Sequence, residues 1–122
     1  MINAGALVWI ALGGALGSVG RAVVGMLIPA GRFPWATLAV NVAGSFAIGW
    51  LMGRVAGGDG GAERVQAFWV VGVCGGFTTF SSFSWQTMEQ MQRGSWGTAA
   101  ANVMFSVGLC LAATWLGWRL GR

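Results

Sequence analysis

Charged side chains divide this 122-residue chain into four long uncharged stretches, Met1–Gly20, Phe33–Gly53, Val65–Met88 and Gly94–Trp118. A transmembrane α-helix needs about 20 predominantly apolar residues to cross about 30 Å of hydrocarbon, and each stretch has about this length. Charged residues make up only 8% of the chain, whereas a soluble domain carries about 25%. The sequence therefore predicts an all-α membrane protein. Residues 1–122 are expected to form a single domain of four transmembrane helices at about 4–27, 33–53, 65–88 and 95–118.

The composition also excludes several classes of function. The chain contains no histidine, and its two cysteines, Cys74 and Cys110, lie inside predicted helices as small apolar residues without metal-ligand spacing. Its cations are single arginines dispersed at helix ends, where they reach membrane lipid headgroups and form no patch for a nucleic acid. No soluble domain is apparent, so we expect the protein to act inside the membrane and not as an enzyme.

The distribution of arginines bears on the orientation of the helices. Four helices place both termini and the loop at 54–64 on one side of the membrane. The arginines of that side are Arg54, Arg64, Arg119 and Arg122. The other side carries Arg32 and Arg93, with Arg21 added if it reaches that interface. This weak positive-inside bias allows insertion either way round, which permits an antiparallel, dual-topology homodimer.

Small and polar residues recur at every fourth position on two predicted helices, which keeps them on one face. They are Thr37, Asn41, Ser45, Gly49 and Gly53 on the second helix, and Thr98, Asn102, Ser106 and Cys110 on the fourth. We interpret Gly49 and Gly53, together with Gly13 and Gly17 of the first helix, as sites of close helix packing. An amide inside a span is costly unless it is satisfied. Two interpretations therefore stay open for the asparagines: hydrogen bonds between helices, or contacts with a polar permeant.

Arg21 is the charge that lies deepest in the sequence of a predicted helix. One interpretation is a side chain that extends from the end of the first helix to the lipid headgroups. The other is a cation that attracts anions to a vestibule, and the sequence slightly favours it.

The segment GGFTTFSSFS, Gly75–Ser84, lies in the middle of the third uncharged stretch. Glycine and β-branched residues disfavour a helix, so Gly75–Thr79 predicts a break near midspan whose freed carbonyls could bind a cation. Phe77, Phe80 and Phe83 share a face if the helix resumes. Such a row usually indicates packing, but rings are positive at their edges and can favour a small anion. The interleaved hydroxyls favour the second interpretation; they belong to Thr78, Thr79, Ser81, Ser82 and Ser84.

Three segments closely resemble the Fluc (CrcB) family of fluoride ion channels. They are GGALGSVGR at 13–21, ATLAVNVAGSFAIG at 36–49 and GVCGGFTTFSSFSWQT at 72–87, and the likeness extends over essentially the whole chain. The resemblance implies a multi-pass protein of the bacterial cytoplasmic (inner) membrane that exports fluoride passively, rejects chloride and confers fluoride resistance. It also implies an antiparallel homodimer with two pores at the interface.

The resemblance extends to individual residues. By motif, Phe80 and Phe83 correspond to the paired pore phenylalanines, and Asn41 to the pore asparagine that contacts the anion and those rings. The backbone carbonyls of Gly75 and Thr78 correspond to the ligands of a structural Na⁺ at the dimer interface. The remaining residues implied in the pore are Thr79, Ser81, Ser106 and Asn102, with Arg21 at the vestibule. Thr37, on the polar face of the second helix, is also expected in the pore. Asn102 and Cys110 stand where relatives carry other polar side chains, often a tyrosine at the former, and Phe77 is expected to be packing.

The main alternative is a proton-coupled exporter of the small multidrug-resistance type, which also has four helices and forms antiparallel dimers. Coupling requires an ionisable acid within the membrane, whereas Asp59, Glu63 and Glu89 all fall in predicted loops or at helix ends. A scaffold subunit without transport activity is a third possibility. It would explain the glycine packing but not the aligned amides and hydroxyls.

Overall fold

The computed structural model describes residues 3–57 and 63–122, and every regular element within them is helical. Four helices are long and apolar enough to cross a membrane, with mean hydropathies between 1.2 and 1.7. They are α1 (Ala4–Leu27), α2 (Trp35–Ala56), a composite third span (Glu63–Gln92) and α6 (Trp96–Gly121). Asp59, which the sequence places in a loop, lies outside the described residues.

The third span is not one continuous helix. It consists of α3 (Glu63–Val65), a π-helical segment (Gln66–Cys74), α4 (Gly75–Phe77) and α5 (Phe80–Gln92). Between α4 and α5 the chain is extended, with φ −83° and ψ 158° at Thr78 and φ −152° and ψ 114° at Thr79. The predicted break of the third helix is thus confirmed, and it falls after the glycine pair because Gly75 itself is helical, at φ −62° and ψ −39°.

Glycines hold α1 against the first half of the third span. A Cβ on Gly13 would collide with the carbonyl oxygen of Phe68, and one on Gly17 with that of Val73. Both contacts advance along the chain in the same direction, so α1 and this half of the third span run parallel. Small residues allow such backbone-to-backbone approach between membrane helices, and the predicted packing role of Gly13 and Gly17 is confirmed.

A second glycine seam joins α2 to α6, also in parallel. A Cβ on Gly49 would collide with the carbonyl oxygen of Thr114, and one on Gly53 would lie 2.7 Å from that of Trp118. The seam is reciprocal, since Gly117 of α6 leaves no room for a Cβ against the carbonyl oxygen of Phe46. The packing role predicted for Gly49 and Gly53 is likewise confirmed.

Polar contacts connect the ends of the elements. Asn3 caps α1 by accepting a hydrogen bond from the Ala6 amide at 3.0 Å. Its backbone N and its Nδ2 both donate to the Glu63 carboxylate at 3.1 Å. The start of α1 is therefore tied to the start of the third span, and Glu63 lies at a helix end, as the sequence predicts.

The outward faces of the helices are strongly apolar. Leu16 and Val19 of α1 each expose 62% of their surface, and Met104 of α6 exposes 73%. Apolar surface of this extent is unfavourable in water and favourable in hydrocarbon. Together with the four long apolar helices, it makes this a multi-pass membrane protein.

Arginines at the C-terminal ends of α2 and α6 stack on tryptophans one turn earlier. The pairs are Arg54 with Trp50 at 5.8 Å, Arg119 with Trp115 at 5.7 Å and Arg122 with Trp118 at 4.5 Å, measured from guanidinium carbon to ring centroid. An apolar ring below a charged group suits the headgroup level of a bilayer.

Candidate functional site

Asn41 of α2 holds the helix break in place. Its Nδ2 donates to the Thr79 carbonyl at 3.0 Å, and its Oδ1 accepts from the Thr79 amide at 2.7 Å. Both polar groups of an extended residue are thus satisfied by one side chain, which removes the cost of exposing them in a bilayer. Of the two interpretations that the sequence leaves open for Asn41, the structure thus shows hydrogen bonds between helices. The second N–H of the Asn41 amide remains for another acceptor.

Thr78, the other residue of the break, faces α2. Its amide and its Oγ1 both donate to the Cys74 carbonyl, at 3.0 and 2.9 Å. Its methyl group occupies the space beside Gly44, where a Cβ would collide with Thr78 Cγ2. Gly44 therefore allows the broken helix to approach α2 closely at this level.

The two adjacent glycines before the break have different surroundings. A Cβ on Gly76 would lie 2.5 Å from the Gly14 carbonyl oxygen and 3.1 Å from the Ser18 amide, so Gly76 packs against α1. A Cβ on Gly75 would meet nothing within 4 Å. Gly75 therefore presents its backbone to open space, where a ligand or another chain can approach it.

Phe80 and Phe83 form a ring pair at the start of α5. Their centroids lie 5.4 Å apart and their planes are inclined by 54°. Phe80 is 77% exposed, whereas Phe83 is only 9% exposed. Phe77 instead lies beside Gly20 and Gly44, where added Cβ atoms would be 3.5 and 3.6 Å from its ring, and its predicted packing role is confirmed.

Most of the predicted site residues line one groove, which we call the midspan groove. It has a volume of about 700 Å³ and lies between α2, the third span and α6. The predicted residues in its wall are Asn41, Gly75, Thr78, Thr79, Phe80, Phe83 and Ser106. Apolar side chains such as Ile48 and Val107 complete the wall, together with Cys110. The groove thus places isolated polar groups in an apolar surface.

A second cavity, which we call the vestibule, lies where α1 ends, α2 begins and α5 passes. Its volume is about 430 Å³, and its wall contains the predicted residues Arg21, Thr37 and Thr79. Three side-chain atoms are buried there without a hydrogen-bond partner among the residues that the structure describes: Arg21 Nε, Gln86 Oε1 and Gln90 Oε1. The vestibule therefore combines a cationic donor with free amide oxygens.

Thr79 connects the two cavities, because it lines both of them. Its side chain is 8% exposed, and its Oγ1 caps α5 by accepting from the Ser82 amide at 3.1 Å. The exposed Ser81 lies beside it, with 3.3 Å between the two hydroxyl oxygens. Thr79 therefore lies where the vestibule and the groove adjoin.

Asn102 lies in neither of these two cavities. It is 1% exposed, and its Nδ2 donates to Thr87 Oγ1 at 3.0 Å while its Oδ1 accepts from Ser106 Oγ at 3.3 Å. Thr87 Oγ1 in turn donates to the Phe83 carbonyl at 2.8 Å. Of the predicted pore residues, Asn102 is therefore placed behind the wall of the groove rather than in it.

Several residues of these cavities were not among the predicted site residues, although Ser82 is one of the hydroxyls of the Gly75–Ser84 segment. Ser82, Gln86 and Gln90 line the vestibule, and Gly44 supports the break. Ser82, Gln86 and Gln90 follow one another at steps of four, the same signal that identifies the polar face of the second helix. Gly44 carries no comparable signal, because its role depends on which residue faces it from the third span.

The chain is similar to known proteins over nearly its whole length. Residues 8–118 match the model of a family described as CrcB-like protein, Camphor Resistance (CrcB). A protein of Paramagnetospirillum magneticum is 51% identical over 114 residues, covering 88% of each chain, and one of Opitutus terrae is 50% identical over 89% of this chain and 86% of its own. A protein of Agrobacterium fabrum is 44% identical over 100% of this chain and 98% of its own. Each of these relatives is named Fluoride-specific ion channel FluC. With a family match over nearly its whole length and such relatives, this chain belongs to the CrcB family.

Proposed function

We propose that this protein is a fluoride-selective channel that exports fluoride passively across the bacterial cytoplasmic membrane and so confers fluoride resistance. The observation that carries the proposal is the name of its relatives, which are fluoride-specific ion channels at 44–51% identity over most of the chain. A channel moves an ion without converting it, so no enzymatic reaction is proposed. Residues 1–122 are proposed to act as a single four-helix transmembrane domain.

The working unit is proposed to be an antiparallel, dual-topology homodimer. The midspan groove is open on one side, and Phe80 exposes 77% of its surface there although it belongs to the ring pair. A second copy laid across this groove would cover Phe80 and close the space between the two protomers. The nearly balanced distribution of arginines agrees with insertion in both orientations.

Fluoride is proposed to enter at the vestibule and pass Thr79 into the groove. Arg21 attracts the anion, and Thr37 lies in the same wall. Beyond Thr79, the free N–H of Asn41 and the positive ring edges of Phe80 and Phe83 replace part of the hydration shell. Ser81 adds a hydroxyl near this route. Ser106 lines the groove with its hydroxyl bonded to Asn102, which lies behind the wall. Neutral donors suit conduction, because the ion must bind weakly enough to leave.

A structural Na⁺ is proposed at the dimer interface, held by the Gly75 and Thr78 carbonyls of both protomers. The chemistry of the site supports such a cation. In a continuous helix the Thr79 amide would bond the Gly75 carbonyl, but here it donates to Asn41 and leaves that oxygen released. Gly75 also faces open space within the groove, so a carbonyl can be approached there. When bound, the ion would supply positive charge between the protomers and hold the four carbonyls together.

A proton-coupled exporter is not favoured. In the described part of the chain, Glu63 is hydrogen-bonded to Asn3 at the start of the third span, and Glu89 lies 4.0 Å from Arg93 near its end. Both carboxylates therefore have partners at helix ends rather than positions in a cavity at midspan.

The proposal is tested with purified protein reconstituted in liposomes that contain either potassium fluoride or potassium chloride. After valinomycin is added, an ion-selective electrode should record rapid release of fluoride, while chloride stays inside. Liposomes without protein are the control for leakage. Chloride release at a comparable rate, or no fluoride release from protein that elutes as a single species, would contradict the assignment.

A further inference from the structure

A continuous chain of hydrogen bonds runs from α6 to the backbone of the ring pair. Ser106 Oγ donates to Asn102 Oδ1 at 3.3 Å, Asn102 Nδ2 donates to Thr87 Oγ1 at 3.0 Å, and Thr87 Oγ1 donates to the Phe83 carbonyl at 2.8 Å. We call this chain the Phe83 relay. Its three side chains are buried, at 7%, 1% and 6% exposure for Ser106, Asn102 and Thr87.

The relay has a definite direction. A hydroxyl carries one hydrogen, and the Thr87 hydroxyl donates it to the Phe83 carbonyl. Towards Asn102, Thr87 Oγ1 is therefore the acceptor of the hydrogen bond that Asn102 Nδ2 donates. The single hydrogen of Ser106 is used in the same way on Asn102. An anion in the groove can therefore accept a hydrogen bond from Ser106 Oγ only if the bond from Ser106 to Asn102 breaks. This argues for a role of Ser106 other than direct donation to the ion.

The relay ends on a residue whose position matters to the proposed pore. Phe83 is 9% exposed and packs against Phe80 at 5.4 Å. The helix that carries it begins just after the extended residues Thr78 and Thr79, so α5 is not aligned by a continuous helix before it. Among the described residues, one hydrogen bond joins a side chain of α5 to a side chain of α6, and it is the bond from Asn102 to Thr87. Asn41 fixes the beginning of the same helix through Thr79.

We propose that Thr87 and Asn102 are positioning residues that set the placement of the Phe83 ring, and that they act without touching the ion. This inference rests on the proposed fluoride conduction, and it adds Thr87 to the functional residues. It also changes the role expected for Asn102 from a pore contact to a buried support. A displacement of the ring edge by about 1 Å matters, because positioned groups lose much of their effect when they are misplaced by that amount.

The first test compares Thr87→Val, which has nearly the same shape but no hydroxyl, with Thr87→Ser, which keeps the hydroxyl. In the liposome assay we expect Thr87→Val to slow fluoride release about tenfold and to lower the ratio of fluoride to chloride release. Thr87→Ser should restore most of the rate. The matched control is Thr114→Val, because Thr114 Oγ1 makes the same kind of bond to the Cys110 carbonyl, at 3.0 Å, but lies outside the relay. Its rate should stay within about twofold of the parent, as expected for an independent site.

A double-mutant cycle then tests whether the two residues act as one unit. We expect Asn102→Leu to slow fluoride release about tenfold, and Thr87→Val/Asn102→Leu to be no slower than either single variant. Independent roles would instead multiply to about a hundredfold. Multiplicative effects, or a Thr87→Val rate within about twofold of the parent, would overturn the proposal. An equal loss in Thr114→Val would overturn it as well.

A measurement that needs no transport separates this inference from the proposed function. The position 83 ring is labelled as 4-fluorophenylalanine, and its ¹⁹F signal is recorded in detergent. Thr87→Val and Asn102→Leu should both shift this signal, while Thr114→Val should not. If Thr87→Val does not elute as the parent protein does, Ser106→Ala tests the other end of the relay with the same readout. Failure of the parent to release fluoride would refute the proposed function alone, whereas an unchanged ¹⁹F signal would refute the relay.

Discussion

The contact between Asn41 and Thr79 makes a prediction about the break itself. Replacing Asn41 by Leu keeps a side chain of similar size but removes the partner of the Thr79 amide and of the Thr79 carbonyl, which lie 2.7 and 3.0 Å from it. Both groups belong to extended backbone at membrane depth, so the flanking helices offer them no replacement. We therefore expect Asn41→Leu to loosen the break locally before it affects the glycine seams.

The magnitude follows from the number of groups left without a partner. Interhelical side-chain hydrogen bonds in membranes contribute about 0.6 kcal/mol on average. Here the loss is greater, because an unsatisfied buried group costs about 1–3 kcal/mol. Two such groups give about 2–6 kcal/mol for the whole contact. For the Thr79 amide alone, about 1–3 kcal/mol corresponds to opening that is about 5- to 150-fold more frequent.

Hydrogen exchange measured by mass spectrometry is the appropriate assay. Asn41 is also a proposed pore residue, so fluoride flux would fall both if the break loosened and if the ion lost its contact with Asn41. Peptides that contain Thr79 should exchange faster in Asn41→Leu by the factor above, whereas peptides from α6 should not change. Asn41→Asp is the informative partner variant, since its carboxylate still accepts from the Thr79 amide and should keep most of the protection. Ser45→Ala, one turn away on the same face, controls for a general loosening of α2. Unchanged exchange at Thr79 in Asn41→Leu would refute the reasoning.

Two further predictions follow from the surroundings of the break. Gly76→Ala should lower the thermal midpoint of the protein in detergent, because its Cβ would lie 2.5 Å from the Gly14 carbonyl oxygen and overpacking costs about 1–3 kcal/mol. A Cβ on Gly75 would have no neighbour within 4 Å, so Gly75→Ala should leave the stability of the protomer within about 0.5 kcal/mol of the parent. A lower midpoint for Gly75→Ala than for Gly76→Ala would contradict this packing. Replacement of Na⁺ by N-methylglucamine should lower the thermal midpoint of the proposed dimer, because a bound ligand stabilises the state that binds it. Saturating Na⁺ should restore the midpoint. Equal midpoints in both buffers would count against the sodium site.

The sequence was sufficient for the helices and for the existence of the break, because both depend on local properties. Uncharged stretches of about 20 residues predict spans whatever their neighbours are. The glycine and threonine pairs predict a break within Gly75–Thr79, but not that Gly75 remains helical and only Thr78 and Thr79 are extended. That detail depends on Asn41, which competes for the Thr79 amide from another helix. The π-helical winding of Gln66–Cys74 likewise has no local signal, because its residues are ordinary helix residues.

Side-chain roles were less predictable than side-chain positions. The four-residue spacing of polar residues placed both Asn41 and Asn102 on polar helix faces. Asn41 lines the groove, however, whereas Asn102 is buried behind its wall. The same limit applies to Gly75 and Gly76, since adjacent helical residues lie about 100° apart and only the packing of α1 decides which of them is covered. Periodicity fixes a face within one helix, whereas the neighbour of that face is a property of the whole fold.

The break gives the groove two ends of opposite polarity without a charged side chain. The helical segment that ends at Phe77 directs its last carbonyls towards the break, and α5, which begins at Phe80, directs its first amides back towards it. The partial charges of these helix ends are negative on the Gly75 side and positive on the Phe80 side. These partial charges favour the cation proposed near Gly75 and the anion proposed near Phe80, within one groove. A full charge at either place would bind its ion more tightly and slow its release, so a pair of uncharged helix ends is better suited to a channel than an ion pair.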